Sequence, residues 1–283
     1  MNPAEIYRKV ALLSAEQWRD VLLASVHERE WNGIAMPTFP KSELQSMFVG
    51  SSNEHALLEA YNFYVKVHEQ LARHSVTLAA SSRILDFGCG WGRYMRYFMR
   101  DLPWDRIYGV DPWHLAIDVC RQTGVYGQSI KIDLRPPLVF KPETFDLIFA
   151  YSVFSHLSQA AGLAWIEEFA KVVKPGGLLM LTTQGRTFID YCASLRGRAP
   201  DSDWHASLQR SFADPDRAYA DYDAGKFLYA ANGGGPELPA EDYGEAAIPK
   251  GYIEANWTRY FELLEFIDDR NYMPQALIVM RRK

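Results

Sequence analysis

Apolar residues follow two different periods along the chain, and the change between them divides the sequence. Residues 1 to about 30 carry apolar positions at helical spacing, and a longer helical pattern runs from Glu54 to His74. Between these patterns, a connector from Asn32 to Ser52 is punctuated by proline and glycine. Together these patterns predict an N-terminal helical cap over residues 1–80.

From residue 83 the pattern changes to short apolar runs bounded by glycine, aspartate or proline. The runs read RILDF, RIYGVD, SIKID, FDLIFAYS and GGLLMLTT, and four of the five are separated from the next by a helical or connecting segment. Strands that alternate with helices form right-handed βαβ units and a parallel sheet. Two later runs, YFELLEFID and QALIVMRR, are typical of a closing pair of strands. The predicted fold is therefore α/β, with a doubly wound, seven-stranded, mostly parallel sheet and a C-terminal antiparallel hairpin.

The alternation of strands and helices stops between Gln184 and Pro249. An interval of this length is too long for an ordinary connection and is typical of a functional insertion. We interpret residues 185–249 as a helical or loop insertion that acts as a substrate lid. This insertion belongs to a domain that we expect to span residues 81–283.

Composition and charge narrow the class of protein. The chain has 283 residues, of which 48% are hydrophobic and 23% are charged, as expected for a soluble globular domain. Its net charge of -5 argues against a nucleic-acid partner, because phosphate contacts need clustered lysine and arginine. The three cysteines are far apart and lack metal-ligand spacing, which predicts no metal site and favours the reducing cytoplasm. The charged N-terminus resembles neither a signal peptide nor a membrane span.

A glycine-rich turn follows the first predicted strand. This strand ends at Asp86, and Gly88, Gly90 and Gly92 come next at alternate positions. A dinucleotide-binding turn has the spacing Gly-x-Gly-x-x-Gly, whereas position 93 is Arg93. A pyrophosphate binds the free N–H groups at a helix N-terminus, and a carboxylate beside them would repel it. The turn therefore favours a cationic or zwitterionic ligand.

The next three predicted strands also end in residues that suit a ligand. Asp111 ends the second strand, where an acidic side chain accepts the hydroxyls of a ribose. Asp133 follows the third strand, and Tyr151 and Ser152 follow the fourth. Ligands of open α/β sheets bind at the carboxyl ends of the strands. The four strand ends together therefore indicate a ligand site more strongly than the glycine turn alone.

Residues 83–183 resemble the core of the class I S-adenosylmethionine-dependent methyltransferases. The resemblance lies in ILDFGCGWGR, GVDP, FDLIFAYSVFSHL and WIEEFAKVVKPGGLLMLTT. The predicted closing hairpin is also similar to the one that distinguishes this family from dinucleotide dehydrogenases. Within the family, PPL, SVFSHL and KPGGLLMLTTQG are similar to methyltransferases found with glycan and lipopolysaccharide assembly enzymes.

The resemblance implies that S-adenosylmethionine is the cofactor and that S-adenosylhomocysteine is a product. It implies that Asp86 faces the ammonium of the methionine moiety and that Asp111 holds the ribose hydroxyls. The other cofactor-binding residues that it implies are Gly88, Gly90, Trp91, Pro112, Ile132, Asp133, Leu134, Tyr151 and Ser152. For Trp91, packing in the core is the alternative.

Two histidines are candidate catalytic bases. A hydroxyl acceptor needs a base, whereas an amine acceptor needs only to be neutral when it reacts. His156 lies just beyond the fourth strand, and His205 lies in the stretch SDWHASL of the insertion. The alternatives are that His156 caps the following helix or packs under the cofactor loop, and that His205 is a solvated surface histidine.

The sequence therefore predicts a methyltransferase that acts by in-line displacement, with an oxygen of a small molecule or of a sugar or glycan precursor as the acceptor. N-methylation of a small molecule is the alternative within the same class. A non-catalytic binding or scaffold protein on the same fold, and a nicotinamide dehydrogenase, are the alternatives from other classes. We expect no nucleic-acid partner and no membrane span, and leave open a homodimer formed through the N-terminal helices.

Overall fold

The computed structural model describes residues 2–234 and 237–283. These residues fall into two compact units: one holds the chain up to Asp133 together with Phe145–Phe149, and the other holds Leu134–Thr144 and Ala150–Lys283. Residue 1 of the predicted cap and residues 235 and 236 of the predicted lid lie outside the described residues. The predicted boundaries at 1–80 and 81–283 stay a prediction.

The N-terminal part of the first unit is helical, as the sequence predicts. Its first two helices begin with capping boxes: Asn2 and Glu5 exchange side-chain and backbone hydrogen bonds, and Ser14 and Gln17 do the same. The helices of this unit are α1 (Pro3–Val10), α2 (Ala15–Ala24), α3 (Ser42–Val49), α4 (Asn53–Arg73), α5 (Arg93–Phe98) and α6 (His114–Gln122).

The connector between the predicted helical patterns contains more structure than the sequence indicates. It begins in a small hairpin of β1 (Glu30–Trp31) and β2 (Ile34–Ala35), closed by an Asn-Gly pair with φ angles of 48° and 76°. Such pairs favour tight hairpin turns. The connector also contains α3. Both elements are too short for apolar periodicity to indicate them.

Seven of the remaining strands form one mixed sheet in the order β10-β11-β7-β6-β3-β4-β5. The remaining strands are β3 (Ile84–Phe87), β4 (Ile107–Asp111), β5 (Gln128–Lys131), β6 (Phe145–Ala150), β7 (Val173–Thr183), β8 (Leu228–Ala230), β9 (Glu245–Ala247), β10 (Phe261–Ile267) and β11 (Ala276–Arg282). Strand β3 is parallel to β4 and β6, and β11 is antiparallel to β7 and β10. The predicted α/β class, its seven strands and its closing hairpin are thus confirmed.

The second unit carries the described part of the predicted insertion, which contains three helices and two short paired strands. The helices of the second unit are α7 (Gln159–Val172), α8 (Thr187–Ser194), α9 (Asp203–Arg210), α10 (Pro215–Asp223) and α11 (Lys250–Asn256). Ile189, Tyr222, Leu228 and Ala247 form a buried apolar cluster that joins α8, α10 and the antiparallel pair β8 and β9. The insertion therefore has a core of its own. Its action as a lid stays a prediction.

Aromatic side chains fill the core of the first unit. Phe98 stacks on Phe149 with ring centroids 4.9 Å apart, and the Tyr97 hydroxyl donates to the Leu57 carbonyl at 2.8 Å. The Trp18 indole N–H donates to the carbonyl of Tyr97 at 3.2 Å. These contacts fix α2 and α4 against α5, the helix that follows the glycine turn. Along the described ranges, no helix combines the length and the apolar character needed to cross a membrane.

Candidate functional site

Three glycines shape the turn that follows β3. Gly88, Gly90 and Gly92 have φ angles of 81°, 52° and 79°, which strain any residue with a Cβ. A Cβ at Gly92 would also lie 2.8 Å from Cγ1 of Val125. The alternate spacing of the glycines in the sequence therefore reflects a backbone that adopts the left-handed conformation three times before α5 begins.

Four N–H groups of this turn donate to acceptors within the protein. Gly88 and Cys89 donate to the Val110 carbonyl at 2.8 and 3.0 Å, and Gly92 donates to the Cys89 carbonyl at 2.8 Å. The Gly90 N–H donates to Oδ2 of Asp111 at 3.0 Å. A phosphate site needs such groups to face the anion. These four groups instead hold the shape of the turn.

Asp86, at the end of β3, is a buried carboxylate. It is 1% exposed, and neither of its carboxylate oxygens has a hydrogen-bond partner among the described residues. Burial raises the pKa of Asp86 well above its usual range, and Cys120 and Asp111 raise it further, whereas Arg93 lowers it. A buried carboxylate is costly unless a cation or a hydrogen-bond donor pairs with it. Asp86 therefore fits the ammonium group of an amino-acid moiety.

Asp111, at the end of β4, connects the glycine turn to the start of α6. Its Oδ2 accepts the Gly90 N–H at 3.0 Å, and its Oδ1 accepts the Trp113 N–H at 2.8 Å. Burial raises the pKa of Asp111 to about 6, although these two hydrogen bonds lower it. An ionised carboxylate offers about four acceptor sites. The carboxylate therefore keeps acceptor capacity for the hydroxyls of a ligand.

The aromatic residue of the turn packs into the core. Trp91 is fully buried, with its ring centroid 5.8 Å from that of Phe39 and the Arg96 guanidinium 5.2 Å above it. Arg96 is also fully buried, and it donates to the carbonyls of Pro37 at 3.0 Å and Thr38 at 2.7 Å. Burial lowers the pKa of Arg96 to about 9. The predicted contact of Trp91 with a cofactor stays a prediction.

Two aromatic residues beside the turn were not predicted. Phe48 on α3 and Trp113 before α6 are half-buried, with ring centroids 4.8 Å apart. Cδ1 of Phe48 lies 3.8 Å from the position that a Cβ on Gly90 would occupy. Sequence reasoning missed Phe48 because it missed α3, whose eight residues show no clear apolar stripe.

The other predicted cofactor residues lie after the strand ends of the two units. In the first unit, Pro112 is half-buried, Ile132 is buried and Asp133 is exposed. In the second unit, Leu134 and Tyr151 are half-buried. The Leu134 carbonyl accepts the indole N–H of Trp165 at 3.2 Å. The roles of these residues toward a cofactor stay predictions.

Ser152 has a strained backbone that a polar network holds in place. Its φ angle is 59°, which is uncommon for a residue other than glycine and strains the backbone. The Ser152 N–H donates to Oγ1 of Thr182 at 2.7 Å, and Nε2 of Gln275 donates to Oγ of Ser152 at 2.9 Å. The Thr182 hydroxyl donates to Oε1 of Gln275 at 2.6 Å. Gln275 had no signal in the sequence, because it becomes a neighbour of Ser152 only through the sheet.

His156 follows β6 and is held by a segment of the insertion. Its Nδ1 lies 2.9 Å from the Gly244 carbonyl oxygen and 3.7 Å from Oε1 of Glu245. Its ring stacks on Tyr243 with a centroid distance of 4.8 Å and an interplanar angle of 9°. The alternative that His156 caps the following helix is wrong, because Ser158 is the N-cap of α7.

His205 lies on α9 and is half-buried. Its Nδ1 is 3.5 Å from Oδ2 of Asp201, and its Nε2 is 3.4 Å from the Tyr191 hydroxyl. The alternative of a solvated surface histidine therefore fits only in part, since both ring nitrogens have polar neighbours. The catalytic role of His205 stays a prediction.

Part of the chain is similar to known proteins. Residues 85–181 match the family described as a methyltransferase domain. The chain is 29% identical over 126 residues to the ubiquinone biosynthesis O-methyltransferase of Bradyrhizobium sp. (strain ORS 278), which covers 44% of this chain and 48% of that protein. It is 33% identical over 107 residues to the tRNA (carboxymethyluridine(34)-5-O)-methyltransferase of Arabidopsis thaliana, over 38% of this chain and 25% of that protein. The chain thus spans about half, or less, of the length of these curated relatives.

Among solved structures, the chain is similar to an S-adenosylmethionine-dependent methyltransferase from Clostridium acetobutylicum ATCC 824. The TM-score is 0.52 at 12% sequence identity, and the match covers 78% of this chain and 91% of the other. At this identity the likeness establishes the fold.

Proposed function

We propose that this protein, whose residues 85–181 form a methyltransferase domain of the S-adenosylmethionine-dependent class, methylates an oxygen of a small molecule or of a sugar precursor. S-adenosylmethionine, when bound, supplies an electrophilic methyl group on a sulfonium and leaves as a neutral thioether. The protein then mainly has to align the acceptor, and alignment alone lowers such barriers by roughly 7–11 kcal/mol.

The observation that carries this proposal is the pair of buried carboxylates at the ends of β3 and β4. Asp86 has no hydrogen-bond donor among the described residues, which suits the ammonium of the methionine moiety. Asp111 is held by two backbone N–H groups and keeps acceptor capacity for ribose hydroxyls. Ile132 is buried after β5 and would contribute an apolar contact to the adenine.

The same geometry argues against a nicotinamide dehydrogenase. A dinucleotide would bring its pyrophosphate to the glycine turn, where the N–H groups of Gly88, Cys89, Gly90 and Gly92 already have acceptors. The Asp86 carboxylate would also repel the pyrophosphate. A ligand with an ammonium group and without phosphate meets neither difficulty.

Methylation of oxygen, rather than nitrogen, is favoured by the surroundings of His156. A hydroxyl acceptor gains about 10²–10⁴-fold in rate from a positioned base. The Gly244 carbonyl can only accept a hydrogen bond, so Nδ1 of His156 carries the proton and Nε2 of the neutral ring keeps its lone pair. Both curated relatives described above are named as O-methyltransferases. We propose His156 as the base on these grounds.

Calorimetric titration with S-adenosylhomocysteine tests the proposal directly. We expect binding with a dissociation constant in the micromolar range, and weaker binding by about 1–3 kcal/mol in Asp111→Ala, which removes a charged hydrogen-bond acceptor. NAD, titrated in parallel, should give no heat of binding. If S-adenosylhomocysteine gives no heat up to about 1 mM, the methyltransferase proposal is wrong and the scaffold alternative gains support.

The acceptor, the compartment and the assembly extend the proposal. We propose screening phenols, catechols and sugar nucleotides for release of S-adenosylhomocysteine, because each class offers a hydroxyl acceptor. The cytoplasm is the proposed compartment, in keeping with the free and buried thiols of Cys89, Cys120 and Cys192. Analytical ultracentrifugation of the full chain tests the homodimer that the sequence analysis left open.

A further inference from the structure

A segment of the insertion is paired by its backbone with the loop that carries His156. The Ser158 N–H donates to the Asp242 carbonyl at 3.0 Å, and the Gly244 N–H donates to the His156 carbonyl at 2.8 Å. The Ala246 N–H donates to the Ser155 carbonyl at 2.7 Å. Residues 242–246 thus run beside residues 155–158 in fixed register, so side chains on the two segments have fixed neighbours.

The register places the Gly244 carbonyl against the imidazole. Its oxygen lies 2.9 Å from Nδ1 of His156, which fixes the proton on that nitrogen. Position 244 has to be glycine, because a Cβ there would collide with the Ala230 carbonyl oxygen. Gly244 therefore has two roles: its lack of a Cβ lets β8 approach, and its carbonyl oxygen fixes the tautomer of His156.

Glu245 is the next residue along this segment, and it is a buried acid. Its side chain is 3% exposed, and its Oε1 lies 3.7 Å from Nδ1 of His156. The same oxygen accepts the indole N–H of Trp204 at 2.8 Å. Oε2 has no hydrogen-bond partner among the described residues. At 3.7 Å the carboxylate acts on the imidazole by its charge and not by a hydrogen bond.

We propose that Glu245 is the positioning residue of His156, holding the imidazolium by charge while the Gly244 carbonyl fixes its tautomer. This rests on the proposed function, in which His156 is the base. In the proton step, the O–H bond of the acceptor breaks, its electron pair stays on oxygen, and a new N–H bond forms at Nε2. The ring then carries a positive charge, which lies against the carboxylate. Trp204 holds that carboxylate in place.

The burial of Glu245 indicates a role for its carboxyl group beyond stability. Burial raises the pKa of Glu245, while the nearby His156 and the Trp204 N–H lower it. A buried carboxyl group that accepts only one hydrogen bond, from an indole, costs more in desolvation than that bond returns, so stability alone does not explain it. Two nearby ionisable groups do not replace Glu245 as the charge beside His156. The Cys192 thiol stays neutral, because burial first and then Glu245 raise its pKa to about 12. Asp242, next to Tyr243 in sequence, is paired with Arg135 at 2.8 Å.

Three variants of the full chain test the proposal. Glu245→Gln keeps the shape and the acceptor for Trp204 but removes the charge. Trp204→Phe keeps the charge but removes the indole donor, so it should have a smaller effect of the same sign. Glu241→Gln removes an exposed charge four residues earlier and serves as the control.

The first measurement needs no acceptor. In protein labelled with [¹⁵N]histidine, the His156 signals are assigned by their loss in His156→Gln. We expect Nδ1 to be protonated in the neutral ring of the wild type and of Glu245→Gln, because the Gly244 carbonyl is unchanged. A proton on Nε2 in the neutral wild-type ring would overturn the proposal.

The second measurement separates this proposal from the proposed function. With the best acceptor of the screen, kcat of Glu245→Gln should fall about 10–100-fold. KM and the dissociation constant of S-adenosylhomocysteine should stay within twofold, and the melting temperature should not change. Loss of stability together with activity would make Glu245 structural. If the wild type does not bind S-adenosylhomocysteine, the proposed function fails, and the NMR spectrum still decides whether the Gly244 carbonyl fixes the tautomer of His156.

Discussion

The affinity for S-adenosylhomocysteine should depend on pH through Asp111. Burial raises the pKa of this carboxyl to about 6, although hydrogen bonds from Trp113 and Gly90 lower it. Ribose hydroxyls donate to a carboxylate, so this ligand binds the ionised form better than the protonated form. Binding at lower pH therefore releases a proton, and the affinity should increase as the pH rises from 5 to 7.

The size of the effect follows from the pKa. At pH 5, one unit below that pKa, roughly one Asp111 carboxyl in ten is ionised. The dissociation constant should therefore be about tenfold larger at pH 5 than at pH 7, which is about 1.4 kcal/mol. Asp86 acts in the same direction, because burial raises its pKa as well. The ligand has no group of its own that titrates between pH 5 and 7.

Calorimetry at pH 5, 6 and 7, in two buffers with different ionisation enthalpies, measures both the affinity and the number of protons released. Asp111→Asn is the control, since it has nearly the same shape but does not titrate. It should bind about 10–100-fold more weakly at pH 7, through loss of hydrogen bonds to a charged group worth about 1.5–3 kcal/mol. Its pH profile should be flatter than that of the wild type. Equal slopes for the two proteins, or an affinity that does not change with pH, would refute the reasoning.

Three further substitutions test other parts of the structure. Gly92→Ala should lower the free energy of unfolding by about 1–3 kcal/mol, because it places a Cβ at a φ of 79° and 2.8 Å from Val125; an unchanged urea midpoint would contradict this. Thr182→Val should destabilise by about 1–3 kcal/mol, because the Ser152 N–H loses its acceptor; a melting temperature equal to that of wild type would exclude the network. His156→Ala should reduce turnover of a hydroxyl acceptor by about 10²–10⁴-fold with unchanged affinity for S-adenosylhomocysteine; near-normal turnover would make His156 structural.

The sheet and the turn were predictable because both leave local signals. Apolar runs bounded by Asp86, Asp111 and glycines mark strands covered on two faces. The alternate glycines mark a backbone with repeated positive φ. The hairpin of β1 and β2 leaves only its Asn-Gly pair as a local signal, because its two-residue strands are too short to show a period. The helix α3 shows no clear apolar stripe. Because α3 was missed, so were Phe48 and its pairing with Trp113.

The contacts around Ser152 and His156 were not predictable, because they join distant parts of the chain. Ser152 bonds to Gln275, which lies 123 residues later. His156 is 88 residues from the carbonyl that it contacts. A single sequence indicates which histidine follows a strand, but it gives no sign of which acid the fold brings beside it. Glu245 reads as one more charged residue until the register of residues 242–246 is known.

The engaged N–H groups of the glycine turn also bear on how a cell's other adenine compounds are kept out. ATP, NAD and related nucleotides contain the same adenosine half as S-adenosylmethionine, so in the proposed binding mode the adenine and ribose contacts would not reject them. Discrimination falls to the other half of the ligand. There a phosphate would meet the Asp86 carboxylate, while the donors of Gly88, Cys89, Gly90 and Gly92 are already satisfied. In this binding mode, one side chain that binds the ammonium group and four satisfied backbone donors would together provide selectivity against abundant nucleotides.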